Sequence, residues 1–260
     1  MNSEIKSGDF SLLSENYSKF RPDYSEKILN KLLELTNKRL DEIKFADVGA
    51  GTGIWTRMVF NKGVKNSIAI EPNENMRQQG EIDSKNTEII WKKGRAENIP
   101  IKDNSCDLIT MASSFHWADF ESATKEFSRV LKPGGRFALL WNPRHFENNP
   151  SLVEIENYLK ELKPKIKRVS SGKSGVTLNL SSKIENTNLF KDINFFEERH
   201  QIEMTIDRYI GIWNSVNDVR YQLGDNYGDF IKFIREKLKS FDTIRCDYLT
   251  RCWTGISKKS

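Results

Sequence analysis

The stretch ADVGAGTGIW, Ala46–Trp55, places three glycines within five residues directly after a short apolar run. Glycine takes positive φ without strain and lets another group come close to the backbone. Glycines spaced this way at the end of a strand describe a loop that cradles a ligand and then opens a helix. The register decides which ligand. A dinucleotide loop, Gly-x-Gly-x-x-Gly, needs glycine at its sixth position. Counted from Gly49 that position is Ile54, and from Gly51 it is Thr56. A terminal Gly-Lys-Ser/Thr, which a triphosphate loop requires, is absent as well. What is left is Asp-x-Gly-x-Gly-x-Gly, led by Asp47, with an acid, Glu71, 18 positions beyond Gly53. A carboxylate at the end of the neighbouring strand accepts both hydroxyls of a ribose and repels a phosphate there.

The surrounding pattern alternates strand and helix. Leucine and isoleucine recur at three- and four-residue steps after Ser25, which predicts a helix that Pro22 keeps from starting earlier. IKFADV, NSIAI, TEIIWKK, CDLITMA and RFALLWN read as five strands, and NENMRQQ as a helix capped by Asn73. ESATKEFSRVL presents Ala123, Phe127, Val130 and Leu131 on one helical face, and Pro-Gly-Gly stops it. Near the end, FEERHQIEMT and YLTRCWTGIS fit two more strands, with helices DRYIGIWNSV and DFIKFIREKLKSF between them. The expected fold class is α/β: a Rossmann-like, seven-stranded, mostly parallel sheet with helices on both faces and a small helical cap insertion. A single domain over 1–260 is expected. It comprises an N-terminal lid segment (1–25), a core (40–145), a cap insertion (146–190) and closing strands and helices (191–260).

Composition removes other classes. Hydrophobic residues make up 37% and charged residues 30%, with no run of the roughly 20 apolar residues that a membrane helix needs. The N-terminal MNSEIKSGDF lacks a signal-peptide core, so a cytoplasmic location is expected. Three cysteines without CxxC and three scattered histidines argue against disulfides and against a metal. The net charge is +5, but the lysines are interspersed with carboxylates and the densest run, Leu162 to Lys173, reads as a solvated face. Nucleic acid and membrane are therefore not the expected partners. A small-molecule substrate is, with the chain a monomer or a homodimer.

ADVGAGTG, AIEPNENM, GRAENIPIKDNSCDLIT, HWADF and RVLKPGGRFALLWN follow one another from Phe45 to Asn142. In that order and at that spacing they resemble the class I S-adenosylmethionine-dependent methyltransferases of small-molecule type (methyltransferase type 11), the group that includes trans-aconitate methyltransferase. YSKFRPDY upstream and YLTRCWTG at the end extend the likeness weakly. The resemblance implies S-adenosyl-L-methionine as cofactor, S-adenosyl-L-homocysteine as product, and no metal. It implies that Gly49, Ala50 and Gly51 line the methionine part, with Gly53 packing where the helix begins. Asp47 holds the loop or reaches the cofactor's amino group. Glu71 binds the ribose, while Pro72 and Met76 wall the adenine. Ala96 and Glu97 lie beside the adenine, and Ser113 lies near the sulfonium. Tyr17 and Arg21 close over the crevice, with Arg21 on the cofactor carboxylate. Arg95 departs from the family pattern, which has an acid there; arginine cannot accept a hydrogen bond, so it stacks on the base or turns outward.

The acceptor pocket is expected from the N-terminal segment, the loops after the fourth and fifth strands, and the cap. Trp117, Trp141, Arg144 and Trp213 are its candidate lining residues, and Arg144 would suit a carboxylate. His116 is the candidate base, or it only fixes its loop. An already nucleophilic acceptor needs no base. Two alternatives remain at this level: a methyltransferase acting on RNA or protein, and a protein that binds the cofactor without catalysis.

Overall fold

The computed structural model describes residues 13–167 and 175–259; most of the SSGKSG stretch and the first half of the expected lid lie outside the described residues. Helices α1 (Ser14–Phe20) and α2 (Glu26–Glu34) precede β1 (Lys44–Val48) and α3 (Ile54–Asn61). β2 (Asn66–Ile70), α4 (Glu74–Asp83), β3 (Ile90–Lys92), β4 (Cys106–Ala112), α5 (Phe120–Val130) and β5 (Leu131–Trp141) complete the first half. The second half runs β6 (Arg144–His145), α6 (Pro150–Leu162), α7 (Leu180–Asn186), β7 (Phe190–Thr205), α8 (Ile206–Asn214), α9 (Asn217–Leu223), α10 (Tyr227–Leu238) and β8 (Thr243–Ser257).

The sheet order is β3-β2-β1-β4-β5-β8, with β7 on the outer edge of β8 and the short β6 also on β8. Pairings among β1 to β5 are parallel, and those of β8 with β5, β6 and β7 are antiparallel. The seven expected strands are present; β6 is an eighth of two residues. The Pro-Gly-Gly segment falls inside β5, as a bulge where the register against β4 jumps from Leu131 to Arg136. α1 is an element that the sequence pattern does not signal. It ends at Arg21, whose extended backbone (ψ 143°) is what the following proline demands.

Both faces of the parallel strands are covered, so their residues are apolar on either side. One face carries Ala46, Val48, Ile109, Met111, Phe137 and Leu139 against Phe127 of α5 and Leu180 and Ile184 of α7. The other carries Phe45, Leu108, Ala138, Leu140 and Cys252 against α2 and, through Trp55 and Val59, α3. β8 pairs with β5 only over Arg251–Ile256, so its first half projects past the C-terminal end of β5. On this projecting ribbon α6, α8, α9 and α10 build a separate apolar cluster, including Leu152, Trp213, Phe230 and Tyr248. The helical cap is thus assembled from α6 and from elements beyond residue 205. α7, inside the expected 146–190 insertion, packs on the sheet instead.

Candidate functional site

The glycine loop follows β1 at the C-terminal edge of the sheet. Gly49 has φ +65°, and a Cβ there would stand 2.7 Å from Ser114 Oγ; Gly53 has φ +80°, and a Cβ there would meet the Trp91 ring at 2.8 Å. Both positions therefore require glycine for conformation and for space. Glu71 follows β2 and bridges the two loops. Its Oε2 accepts the Gly51 N–H (2.8 Å) and its Oε1 accepts the Asn73 N–H (2.9 Å). Burial raises the Glu71 pKa, and the two backbone donors oppose that rise. The Asn73 side chain caps α4 by accepting the Met76 N–H (3.1 Å).

Asp47 lies on the face covered by α3, fully buried. Its Oδ2 accepts from Thr56 (2.6 Å) and its Oδ1 from Thr110 (3.0 Å), and Thr110 Oγ1 in turn accepts from Trp55 Nε1 (3.0 Å). Asp47 thus ties β1, β4 and α3 beneath the loop. Of its two expected roles, its placement fits holding the loop: both oxygens are engaged and it does not line the cavity described below. Burial pushes its pKa up to about 7, against the two hydroxyl bonds. The folded-state value lies above the unfolded value of about 4, so the unfolded chain releases its proton first and Asp47 makes folding less favourable as pH rises between the two. Asp47→Asn has no such titration. Its urea midpoint is expected to shift in its favour relative to wild type between pH 5 and pH 8; the opposite trend would contradict this placement.

A cavity of about 520 Å³ opens over the strand ends, within the size range of small-molecule sites. Gly49, Ala50 and Gly51 form part of its wall, with Glu71, Pro72 and Met76 beside them. Ala96 and Glu97 come from the loop after β3, Ser113 and Trp117 from the loop after β4, and Tyr17 and Arg21 from the N-terminal segment. Arg95 borders the cavity with its side chain 71% exposed and its Nε 3.9 Å from Glu97, which matches the outward reading. Arg21 is gripped by the end of α8, its Nε donating to Ser215 Oγ (2.8 Å) and an Nη to the Ser215 carbonyl (3.1 Å).

Other expected residues are elsewhere. Gly53 sits behind the wall against Trp91, as its packing role requires. His116 does not line the cavity. Among the described residues neither ring nitrogen has a hydrogen-bond partner, and burial takes its pKa down to about 4, which weakens it as a base. Trp141 is buried on the sheet face, edge-on to Trp253 at 5.5 Å, away from the cavity. Trp213 and Arg144 belong to the cap interior. Arg144 donates to Glu156 (2.8 Å) and lies 4.5 Å over the Trp213 ring. The lining that sequence reading missed includes Tyr24, Trp55, Ser114 and Asn142. Asn142 ends the fifth strand, where the strand-end rule would have pointed, and its Nδ2 donates to the Asp23 carbonyl (2.9 Å).

The residues present fit an adenosyl-methionine group: a buried acid is held at the end of β2, a glycine wall permits close approach, and the cavity continues across β1 to the end of β4. Comparisons agree. Residues 46–139 match the family model for a methyltransferase domain. An uncharacterized methyltransferase of Mycobacterium tuberculosis is 34% identical over 128 residues, 49% of each chain. One from Schizosaccharomyces pombe is 33% identical over 146 residues, 56% of each. The chain thus spans about half the length of the curated relatives it matches. The crystal structure of the YcgJ protein from Bacillus subtilis superimposes with a TM-score of 0.55 at 21% identity, covering 91% of this chain and all of that one. Phosphoethanolamine N-methyltransferase 2 from Haemonchus contortus, in complex with S-adenosyl-L-methionine, does so with a TM-score of 0.56 at 13% identity, over 99% of this chain and 59% of that one. These two show the fold. The family match and the relatives mark residues 46–139 as a methyltransferase domain.

Proposed function

We propose that the cavity binds S-adenosyl-L-methionine and that the protein transfers its methyl group to a small-molecule acceptor, releasing S-adenosyl-L-homocysteine. The observation that carries this reading is the Glu71 carboxylate, aimed between the two loops at the end of β2 and already held by Gly51 and Asn73. In that position it is ready to accept a pair of ribose hydroxyls. The group, when bound, supplies an electrophilic methyl on a sulfonium with a thioether leaving group. The residues of the chain bind and orient: holding an acceptor in line is worth about 7–11 kcal/mol of such a barrier.

A small acceptor is favoured by the covering of the cavity. α1 packs against both α4 and α8, and the Arg21–Ser215 contact joins the N-terminal segment to the cap over the strand ends. Among the described residues the side chains lining the cavity include no histidine, and its carboxylates, Glu71 and Glu97, sit on the side expected for the nucleoside. An acceptor that carries its own nucleophile, such as a carboxylate, suits that lining. Among the described residues no helix is long and apolar enough to cross a membrane, and no group of His, Cys, Asp or Glu side chains is placed to hold a metal ion.

Calorimetric titration with S-adenosyl-L-methionine and S-adenosyl-L-homocysteine tests the cofactor; binding of both is expected, and binding of neither would overturn the reading. Labelled methyl transfer to a metabolite pool, run beside RNA and protein pools, tests the acceptor. Label appearing only in a macromolecular pool would refute the small-molecule assignment.

A further inference from the structure

The end of the cavity away from Glu71 is marked by Ser113, directly after β4, the strand after next in the sheet order β2-β1-β4. Ser113 has φ +53°, a conformation that residues other than glycine rarely take. Its N–H is fixed by the Leu140 carbonyl of β5 (2.7 Å). Strain of this kind, held by its surroundings, recurs at ligand clamps. Next to it stands Tyr24, whose ring meets Trp55 edge-on at 5.3 Å and whose hydroxyl donates to Ser113 Oγ (2.8 Å). Tyr24 is itself anchored: the following residue, Ser25, donates its N–H to Thr250 Oγ1 (2.9 Å), and the Tyr24 N–H points at Met58 Sδ (3.4 Å).

Burial, and then the neighbouring Tyr17, raise the Tyr24 phenol far above its ordinary range, so it stays a proton donor. A hydroxyl that accepts one bond still has its own proton to give. For Ser113 no acceptor of that proton is found among the described residues, and the side chain borders the cavity. Arg21 borders the same cavity close enough to Tyr24 to act on its phenol electrostatically. Two of its five N–H groups are taken by Ser215. The cavity therefore has the Glu71 carboxylate at one end and the donors Ser113 and Arg21 at the other. A ligand that matches it presents hydroxyls to the first and an anionic acceptor to the second.

We propose that Tyr24 is a positioning residue: by donating to Ser113 Oγ it turns the serine's own proton into the cavity, where Ser113 donates it to the amino-acid carboxylate of the cofactor, beside the Arg21 that the resemblance already assigns to that group. This rests on the cofactor reading above and adds to it a residue that acts at second hand. A carboxylate at this end could equally be brought by an acceptor, and the choice of ligands separates the two.

The test titrates wild type, Tyr24→Phe, Ser113→Ala and the double variant with two ligands. S-adenosyl-L-homocysteine carries the carboxylate; 5′-methylthioadenosine has the same nucleoside and thioether without the amino-acid portion. Tyr24→Phe and Ser113→Ala should each weaken S-adenosyl-L-homocysteine by about tenfold, the size of one charge-assisted bond, and leave 5′-methylthioadenosine unchanged. The double variant should be no weaker than Ser113→Ala alone. Equal losses for both ligands would show a packing role and overturn the proposal. Unchanged S-adenosyl-L-homocysteine affinity would also overturn it, assigning this end to the acceptor. Should Tyr24→Phe not fold, Ser113→Ala alone decides between these outcomes. Wild type binding neither ligand would be a failure of the cofactor reading instead.

Discussion

Glu71→Ala is expected to lower affinity for S-adenosyl-L-homocysteine by roughly 100-fold, about 2.7 kcal/mol. Hydrogen bonds to a charged partner contribute about 1.5–3 kcal/mol each once the competing water bonds are counted, and a ribose offers two hydroxyls to one carboxylate. The substitution also removes the acceptor that holds the Gly51 and Asn73 N–H groups, so both loops lose their common brace. Calorimetry on the folded variant measures the effect directly. Glu71→Gln separates the two contributions. It keeps the length and one acceptor oxygen but replaces the other by a donor that faces a backbone N–H, so it should lie nearer to alanine than to wild type. Affinity that survives both substitutions would mean that the nucleoside does not lie against the end of β2.

The second large effect is on stability. Arg144 and Glu156 form an ion pair with side chains only 11% and 8% exposed, and the guanidinium also lies 4.5 Å over Trp213 and 5.3 Å over Tyr209. Removing one partner leaves the other charged and buried, which costs about 3–5 kcal/mol, whereas replacing both by apolar side chains of similar volume is close to neutral or stabilising. Arg144→Met should therefore lose about that much in urea unfolding, and Arg144→Met with Glu156→Leu should recover nearly all of it. Arg144 stands on β6, Glu156 on α6 and Trp213 on α8, two residues before the Ser215 that grips Arg21. The single variant should then also loosen the cofactor, and the double variant should restore it. A single variant as stable as wild type would show that the pair is not desolvated in solution.

The parts of the site that were readable in the sequence are those governed by neighbours in the chain. The glycine register excluded two nucleotide loops because each needs a particular residue at a particular step, and the structure then shows why Gly49 and Gly53 tolerate no side chain. The Asn73 cap is a three-residue relation and was visible as such. Tyr24 was not, although it lies in the YSKFRPDY stretch that the sequence singles out. Its partner Ser113 is 89 positions away, and nothing local ties a phenol to that hydroxyl. Trp141, Arg144 and Trp213 are candidate pocket-lining residues by sequence, but whether an aromatic or an arginine faces a ligand or a core depends on what packs against it, and Glu156 and Trp253 supply that from other elements.

By itself the sequence determined the alternation of strand and helix, the parallel core and the positions of the glycine loop and Glu71, because periodicity and turn chemistry act over a few residues. Only the tertiary structure decided which helices form the cap and which side chains meet at the cavity. The β7–β8 ribbon overruns β5, and the apolar surface it exposes must be covered by whatever helices the chain brings there, in this case α6 and α8 to α10. Burial is a property of that assembly. So are the neutral His116, the raised Asp47 and the buried Arg144–Glu156 pair, which all follow from removing water around groups whose identity was plain but whose surroundings were not.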